Sequence, residues 1–325
     1  MTRPKVLFAL PILQEAMDKL AEEADIIMAE SVDEDYMAEA AAEVDAILVR
    51  GVVKITEKVI RSAKNLKVIA RHGVGCDSID VAVATELGIP VVYSPGSNTN
   101  SVAEHALALL LAVAKQLRQS DIALRGGNYD SRLKTRTVEL QGKTLGVVGL
   151  GNIGRRFILI CQNGFGMKVV GYDPYVDKKA LAEAGLKVEV VDSLADVLQE
   201  ADFVSLHAPS LPDTYKIMGR EQFARMKESA FFINAARGPL VDEDALYEAL
   251  QKGEIAGAGI DVFDPEPPAK DNPLFQLPNV VVTPHTAANG DQALRNMAFM
   301  AVNNMLQVLR GEEPVNVFNR EVMGK

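Results

Sequence analysis

The chain has 325 residues, a length that predicts two domains instead of a single core. Hydrophobic residues make up 48% of the sequence and charged residues 24%, which is the balance of a globular protein. The formal net charge of −10 argues against nucleic acid or an anionic membrane as a partner, because both select basic surfaces. A small anionic substrate stays open, since the charge of a local pocket can oppose that of the whole chain.

The cysteines and the N-terminus indicate where the protein works. The two cysteines, Cys76 and Cys161, lack metal-ligand spacing, and their low number fits a reducing compartment. The first residues lack the apolar core of a signal peptide, and no apolar run reaches the ~18 residues of a membrane span. We therefore expect a cytoplasmic protein without a metal or a membrane partner.

The first third of the chain alternates between short apolar runs and helical stretches such as 14–23 and 56–63. This βα rhythm predicts a parallel sheet that is covered by helices. The predicted strands are Val6–Leu10, Ile26–Met28, Ala46–Val49, Val68–Ala70 and Val91–Tyr93.

A second βα series begins at Leu145 and predicts a second open parallel sheet. Ligands of such sheets bind beyond the carboxyl ends of the strands. The predicted strands are Leu145–Val148, Lys168–Tyr172, Lys187–Val190, Phe203–Leu206, Ala230–Ile233, Gly257–Ile260 and Val280–Thr283.

A long apolar helix, Ser101–Ser120, is predicted between the two series. Ser101 is its expected N-cap, because Glu104 three residues later completes a capping box. Residues 125–140 are polar and irregular, and two interpretations stay open: an arm that packs on a partner subunit, or a solvated surface loop.

The last predicted helix, 291–310, follows the final strand of the second series. We expect it to return to the first domain, which makes that domain discontinuous. The predicted division is therefore 1–99 with 290–325 for one domain and 100–289 for the other.

The stretch "GVVGLGNIG" predicts a strand that runs into a phosphate-binding turn. In this arrangement Gly149 makes the turn, Gly151 lets the backbone approach a pyrophosphate, and Gly154 lets the helix pack on the strand. Free N–H groups near Asn152 and Ile153, at the helix N-terminus, are expected to bind the phosphates.

The next predicted strand ends at Asp173, 19 residues after Gly154. An acidic residue there accepts hydrogen bonds from the two hydroxyls of an adenosine ribose and repels a 2′-phosphate. The turn and Asp173 together predict NAD as the cofactor.

A nicotinamide enzyme that acts on an alcohol or ketone needs a group that shuttles a proton, and histidine suits this role. His285 follows a strand of the second series, where a reacting group belongs. His72 follows a strand of the first series, a possible substrate-side position. His105 is interpreted as a packed residue of the apolar helix, and His207 as a residue near the nucleotide.

Two further stretches support the interpretation of His285 as the group that shuttles the proton. In "FFINAARGPLVDEDAL", Arg237 follows a buried strand and can clamp a carboxylate through two parallel hydrogen bonds, while Asp242 is expected to cap the next helix. In "GIDVFDPEPP", Asp261 ends another strand and Glu266 lies in a proline-rich loop. A carboxylate beside a histidine favours the imidazolium form and orients the ring.

Six stretches resemble the D-isomer-specific 2-hydroxyacid dehydrogenase family, in the family's order and over nearly the whole chain. Within the family the sequence is most similar to the catalytic part of phosphoglycerate dehydrogenase and to hydroxypyruvate reductase, and we expect no C-terminal regulatory domain. The stretches are "ARHGVGCDSIDV", "NTNSVAEH", "LQGKTLGVVGLGNIGRR", "NAARGPLVDEDAL", "GIDVFDPEPP" and "VVVTPHTA".

The resemblance implies two doubly wound α/β domains: a flavodoxin-like substrate domain and an inserted Rossmann domain that binds NAD. It implies an enzyme that interconverts a short 2-oxo acid and its D-2-hydroxy acid, with homodimers formed through the NAD domain. Arg237 is similar to the family's carboxylate-binding arginine, His285 to its general acid/base and Glu266 to the partner of that histidine. The implied cofactor contacts also include His207, Ala208, Ala235, Ala236, Asp261 (at the nicotinamide carboxamide) and Ala288. The implied substrate contacts are Arg50, Gly51, His72, Gly73, Val74 and Gly75.

The sequence departs from the family's pattern at two of these positions. His72 stands where a small residue is expected, and Gly51 stands where phosphoglycerate-type enzymes tend to have serine. The substrate pair is therefore left open among the hydroxypyruvate, glyoxylate and 3-phosphoglycerate types. Two alternative functions remain: an NAD(H)-sensing corepressor-like protein and a phosphonate dehydrogenase of the same fold. Glu266 argues against formate dehydrogenase, which has glutamine there.

Overall fold

The computed structural model describes residues 3–324 and divides them into two compact units. The first unit extends to Asn98 and resumes at Asn289, whereas the second is Thr99–Ala288. Among the helices of residues 3–324, none combines the length and the apolar character that crossing a bilayer requires.

The first unit alternates strands and helices as its sequence predicts. Up to residue 98 its elements are β1 (Lys5–Phe8), α1 (Gln14–Ala21), β2 (Asp25–Met28), α2 (Glu34–Ala40), β3 (Ala46–Arg50), α3 (Glu57–Ser62), β4 (Val68–His72), α4 (Val81–Glu86) and β5 (Val91–Val92).

All strand pairs of this unit are parallel, and their order is β2-β1-β3-β4-β5. This order confirms the expected flavodoxin-like domain. Helices cover both faces of the sheet, which explains why β1, β3 and β4 read as nearly continuous apolar runs.

The second unit has more strands than the first, and two helices precede its first strand. Its elements up to residue 288 are α5 (Thr99–Ala114), α6 (Leu117–Arg125), β6 (Thr144–Val148), α7 (Asn152–Phe165), β7 (Lys168–Tyr172), α8 (Lys178–Glu183), β8 (Glu189–Val190), α9 (Leu194–Glu200), β9 (Phe203–Leu206), α10 (Arg220–Ala224), β10 (Phe231–Asn234), α11 (Glu243–Lys252), β11 (Gly257–Ile260) and β12 (Val280–Val282).

The strands of the second unit form one parallel sheet in the order β12-β11-β10-β9-β6-β7-β8. The chain reverses direction across the sheet between β6 and β9, and this switch point confirms the predicted Rossmann topology. Strands β9, β10 and β11 are buried at every residue, so their carboxyl ends present the loops that follow them from a rigid base.

The last helix, α12 (Asp291–Leu309), packs on β4 and α1 of the first unit. The chain after it returns to the edge of the sheet, where the Phe318 N–H donates to the Val91 oxygen at 2.8 Å. The buried Asn319 side chain accepts the Val91 N–H at 2.8 Å and donates to the Ile89 oxygen at 3.0 Å. These contacts hold the C-terminal segment on the first unit.

The predicted helix Ser101–Ser120 is wrong at both ends. Helix α5 begins at Thr99, so Ser101 lies inside the first turn, and its hydroxyl donates to the Ala287 oxygen at 2.7 Å instead of capping the helix. The helix also breaks before residue 120, because Gln116 adopts a left-handed conformation with φ of 50°. Neither glycine nor proline marks this break in the sequence.

Candidate active site

The glycine-rich turn joins β6 to α7. Gly149 has φ of 93°, and a Cβ there would lie 2.6 Å from the backbone of His207. A Cβ at Gly154 would lie 2.2 Å from the Gly149 oxygen, so both positions require glycine for close backbone contact. A Cβ at Gly151 would meet no protein atom within 4 Å. The open side of the turn is therefore at Gly151, beside the N–H groups that begin α7, where a pyrophosphate fits.

Asp173, just after β7, is oriented by two backbone groups. Its carboxylate accepts the Leu150 N–H at 2.9 Å and the Tyr175 N–H at 2.9 Å, one on each oxygen. The acidic side chain is thereby joined to the glycine-rich turn itself. A carboxylate at this position fits the ribose hydroxyls of a dinucleotide.

The loop after β10 carries Arg237 and is shaped by the buried Asn234 side chain. Asn234 accepts the Ala236 N–H at 3.0 Å and donates to the Arg237 oxygen at 2.9 Å. A Cβ at Gly238 would lie 1.9 Å from the Phe263 oxygen, so this loop and the loop after β11 touch only because residue 238 is glycine. The Arg237 guanidinium, which is half-buried, donates to the Ala236 oxygen at 2.7 Å.

His285 and Glu266 are joined by a hydrogen bond in the second unit. Nδ1 of His285 lies 2.8 Å from Oε2 of Glu266, and the other oxygen of Glu266 accepts the Phe263 N–H at 3.1 Å. The His285 side chain is 43% exposed and that of Glu266 is 19% exposed. Because Nδ1 faces the carboxylate, the proton that the ring can deliver to a ligand is the one on Nε2.

The Glu266 loop is held from α11. Glu243 accepts the Asp264 N–H at 2.7 Å on one oxygen and the Asn272 side-chain amide at 3.0 Å on the other. Helix α11 is itself capped by Asp242, as predicted, since this side chain accepts the Ala245 N–H at 3.4 Å. The carboxylate that faces His285 is therefore positioned by a second, more distant carboxylate.

Asp261 follows β11, as the sequence indicates, but its side chain points into the protein. The carboxylate is 0% exposed and accepts the Thr286 and Ala287 N–H groups, both at 2.9 Å, and the Thr283 hydroxyl at 2.6 Å. These hydrogen bonds and one from His105 hold the pKa of Asp261 below its usual value despite the opposing effect of burial. The carboxylate therefore has no exposed surface in this structure, and its contact with a nicotinamide carboxamide stays a prediction.

The other histidines are in environments that do not suit a general acid. Burial lowers the pKa of His207 to about 3, and burial with the positive charge of Arg50 lowers the pKa of His72 to about 4. Both rings are neutral near pH 7. His105 lies on α5 with Nε2 at 2.9 Å from the Thr283 hydroxyl, so it is more than the packed helix residue that the sequence suggests.

In the first unit, the predicted substrate residues follow β3 and β4. Within residues 3–324, neither the Val74 nor the Gly75 N–H donates a hydrogen bond, which is the state that an anion-binding loop needs. Arg50 donates to the Pro11 oxygen at 3.0 Å, and the Gly51 oxygen accepts from Arg71 at 2.7 Å. His72 is 4% exposed and offers a ligand almost no surface.

The remaining predicted cofactor positions lie at the same edge of the sheet of the second unit. Asn152 and Ile153 begin α7, Ala208 follows His207, Ala235 and Ala236 follow β10, and Ala288 ends the unit.

Four residues with a supporting role were missed: Asn234, Glu243, His105 and Thr283. Asn234 follows one predicted strand and Thr283 ends another, so their positions could have indicated a role at the site. The role of Glu243 and His105 depends on contacts 21 and 178 residues away in the chain, and the sequence carries no signal for those contacts.

Comparisons with known proteins agree with this geometry. Residues 107–287 match the family model for the D-isomer specific 2-hydroxyacid dehydrogenase, NAD binding domain, so this segment is an NAD-binding domain. The chain is 43% identical to the D-3-phosphoglycerate dehydrogenase of Methanocaldococcus jannaschii over 99% of its own length, but spans only 61% of that relative. The chain thus spans between half and about 60% of the length of the phosphoglycerate dehydrogenases that it matches.

Two further relatives match over their whole length. The hydroxypyruvate reductase of Thermotoga maritima is 39% identical over 95% of this chain and 99% of its own. An NADPH-dependent glyoxylate/hydroxypyruvate reductase from Sinorhizobium meliloti, solved with NADP and malonate, superposes with a TM-score of 0.87 at 28% identity and covers 97% of each chain. The chain therefore belongs to the D-isomer specific 2-hydroxyacid dehydrogenase family.

Proposed function

We propose that the protein is an NAD-dependent dehydrogenase that interconverts a short 2-oxo acid and its D-2-hydroxy acid. The observation that carries this proposal is the pairing of His285 Nδ1 with Glu266 at 2.8 Å. It leaves Nε2 of a half-exposed ring to exchange a proton with a ligand. The family membership supports the same reaction, and the hydroxypyruvate reductase relative supports a short 2-oxo acid.

Bound at the glycine-rich turn and Asp173, NADH would supply the hydride for C2 of the oxo acid in the reductive direction. His285 acts as general acid: the proton on Nε2 moves to the carbonyl oxygen, which becomes the hydroxyl group of the product. Glu266 stabilises the imidazolium before this transfer and fixes the ring so that Nε2 faces the ligand. In the oxidative direction neutral His285 accepts the hydroxyl proton.

The substrate carboxylate needs positive or N–H partners. Arg237 is our proposed clamp, because its guanidinium stands at the end of β10 on a loop that Asn234 shapes. The unbonded Val74 and Gly75 amides are proposed as further carboxylate ligands, with Gly73 providing the turn. Arg50 and Gly51 remain proposed substrate-side residues, whereas the burial of His72 leaves it almost no surface for a substrate.

We propose that NAD is preferred over NADP. Asp173 carries a negative charge at the ribose position, and a 2′-phosphate beside it would meet repulsion. The Sinorhizobium meliloti reductase uses NADPH, so preference varies among proteins with this fold.

The test is NADH oxidation by the purified protein, followed by the loss of nicotinamide absorbance, with hydroxypyruvate, glyoxylate and 3-phosphohydroxypyruvate at equal concentration. Turnover of at least one of them, faster with NADH than with NADPH, is expected. Binding of NADH without turnover of any oxo acid would instead favour the corepressor-like alternative. NAD reduction by phosphite alone would favour the phosphonate dehydrogenase alternative.

We also propose that two copies associate through the second unit. Helix α6 and the short 3₁₀ helix Tyr129–Leu133 expose large apolar side chains, among them Ile122 at 56% and Leu124 at 61%. An exposed apolar surface of this kind is more typical of a contact with a second copy of the chain than of a solvated loop. We expect the wild-type chain to sediment as a dimer and the Ile122→Glu variant to sediment as a monomer. A monomeric wild type would refute the proposed association.

Cys76 and Cys161 are both buried thiols outside disulfides, which is consistent with the proposed cytoplasmic location. Burial raises the pKa of the Cys161 thiol to about 12, so this cysteine stays a thiol and is inert. Fractionation of the producing cells is the measurement that decides this point.

A further inference from the structure

A hydrogen-bonded network lies behind His285. The Asp261 carboxylate accepts the hydroxyl of Thr283 at 2.6 Å and the N–H groups of Thr286 and Ala287, both at 2.9 Å. These donors lie on both sides of His285 in the chain. The buried carboxylate therefore holds together the turn that carries His285.

His105 joins this network from α5. Its Nε2 atom lies 2.9 Å from Thr283 Oγ1 and 3.3 Å from Asp261 Oδ1. The hydroxyl of Thr283 has a single hydrogen, and the contact of 2.6 Å with the buried carboxylate uses it. The Thr283 oxygen must then accept from His105, which fixes Nε2 as a protonated donor.

The turn needs this support because of its backbone conformation. His285 has φ of 52°, in the left-handed region, which is unfavourable for a residue other than glycine. Such a residue persists only where its surroundings over-determine it. Here the His285 N–H donates to the main-chain oxygen of Asp261 at 2.7 Å. The Asp261 carboxylate binds Thr283, before His285 in the chain, and Thr286, after it.

We propose that His105 is a positioning residue for the reaction: through Thr283 and Asp261 it holds His285 in its left-handed conformation with Nδ1 toward Glu266. This inference rests on the proposed function for its catalytic consequence.

The first experiment replaces His105 by Leu, which removes the donor, and by Gln, whose amide nitrogen reaches the position of Nε2. His105→Leu is expected to lower kcat by about 10- to 100-fold, because a displacement of about 1 Å can cost that much. The KM for the oxo acid and the Kd for NADH should stay within about twofold, and His105→Gln should recover most of kcat. Leu111→Ala, a packing change on the same helix away from the network, is the matched control and should leave kcat unchanged.

The second readout does not depend on activity. Hydrogen–deuterium exchange of the peptide 283–288 should be slow in the wild type and in His105→Gln, and faster in His105→Leu, because the Thr286 and Ala287 amides lose a fixed acceptor. If His105→Leu fails to fold, Thr283→Val removes the same link and Thr283→Ser retains it.

The outcomes separate the two proposals. Unchanged exchange and unchanged kcat in His105→Leu and Thr283→Val would overturn the positioning role. A wild type that turns over no oxo acid would refute the proposed function, whereas the exchange experiment would still decide whether His105 holds the turn.

Discussion

Each unit of the chain places a histidine at the carboxyl end of its parallel sheet, and the two are in opposite environments. His72 ends β4 and is 4% exposed, whereas the side chain of His285, after β12, is 43% exposed. Arginine charge from Arg50 lies near His72, and the carboxylate of Glu266 lies 2.8 Å from His285.

The comparison shows that a histidine's position at a strand end does not decide its chemistry. Burial and positive charge lower the pKa of His72 to about 4, so this ring is a neutral part of the core near pH 7. His285 is open to a ligand and has an anion on one nitrogen, which suits a group that gives and takes a proton. The two histidines therefore differ in their chemistry because of the groups around each ring, although both units have the same kind of parallel sheet.

The largest expected effect comes from removing the exposed histidine. His285→Ala should lower kcat by about 10²–10⁴-fold, the usual contribution of general acid catalysis. NADH should still bind with unchanged Kd, because the glycine-rich turn and Asp173 are intact. Steady-state kinetics with the best oxo acid and a fluorescence titration with NADH check this. Undiminished turnover would refute the role of His285.

Arg237→Ala should reduce kcat/KM for the oxo acid by about 10- to 100-fold, because a charged hydrogen bond contributes about 1.5–3 kcal/mol. The Kd for NADH should change little. Arg220→Ala is the matched control, since Arg220 pairs with Glu248 on the surface and should leave both constants unchanged. An effect confined to NADH binding would contradict the carboxylate clamp.

Glu266→Gln tests the anion that distinguishes His285 from His72. The amide keeps the size of the side chain and can still accept the Phe263 N–H, but it no longer stabilises the imidazolium. A decrease of kcat by about tenfold is expected, from about 1.5 kcal/mol of lost charge assistance. Glu248→Gln, a surface carboxylate, serves as the control; equal rates for the two variants would remove Glu266 from the mechanism.

The smallest effect on turnover is expected from His72→Gln, with kcat nearly unchanged, because His72 is 4% exposed and offers a ligand almost no surface. Its effect should appear in stability at low pH. The pKa of about 4 in the folded chain lies below the ordinary value of 6.5, so the unfolded chain binds more protons between these values. The wild type thus loses stability as the pH falls through this window, by about 3 kcal/mol for His72.

His72→Gln lacks this titration, so its free energy of unfolding should fall less than that of the wild type between about pH 7 and pH 4.5. Urea unfolding at both pH values measures the difference. An equal loss in the two proteins would show that the pKa of His72 is the same in the folded and the unfolded chain. A large loss of kcat would instead make His72 a substrate residue.

Much of the fold could be predicted because buried parallel strands are continuous apolar runs. Lys168–Tyr172, Phe203–Leu206 and Gly257–Ile260 were predicted residue for residue. The break between α5 and α6 was not, since Gln116 takes a left-handed conformation that glycine or asparagine would normally announce. The start of α5 was misplaced because Ser101 matches a capping box whose geometry the chain does not adopt.

Strand periodicity and glycine spacing are local properties, so the two α/β units, the phosphate turn and the strand-end positions of Arg237, Asp261 and His285 follow from the amino-acid sequence alone. The directions in which those side chains face depend on contacts that form only in the folded chain. Asp261 turns inward to the backbone around His285, and His105 reaches it from a helix more than one hundred residues earlier in the chain. Hydrogen bonds between distant elements set these orientations, and no local pattern in the sequence records them.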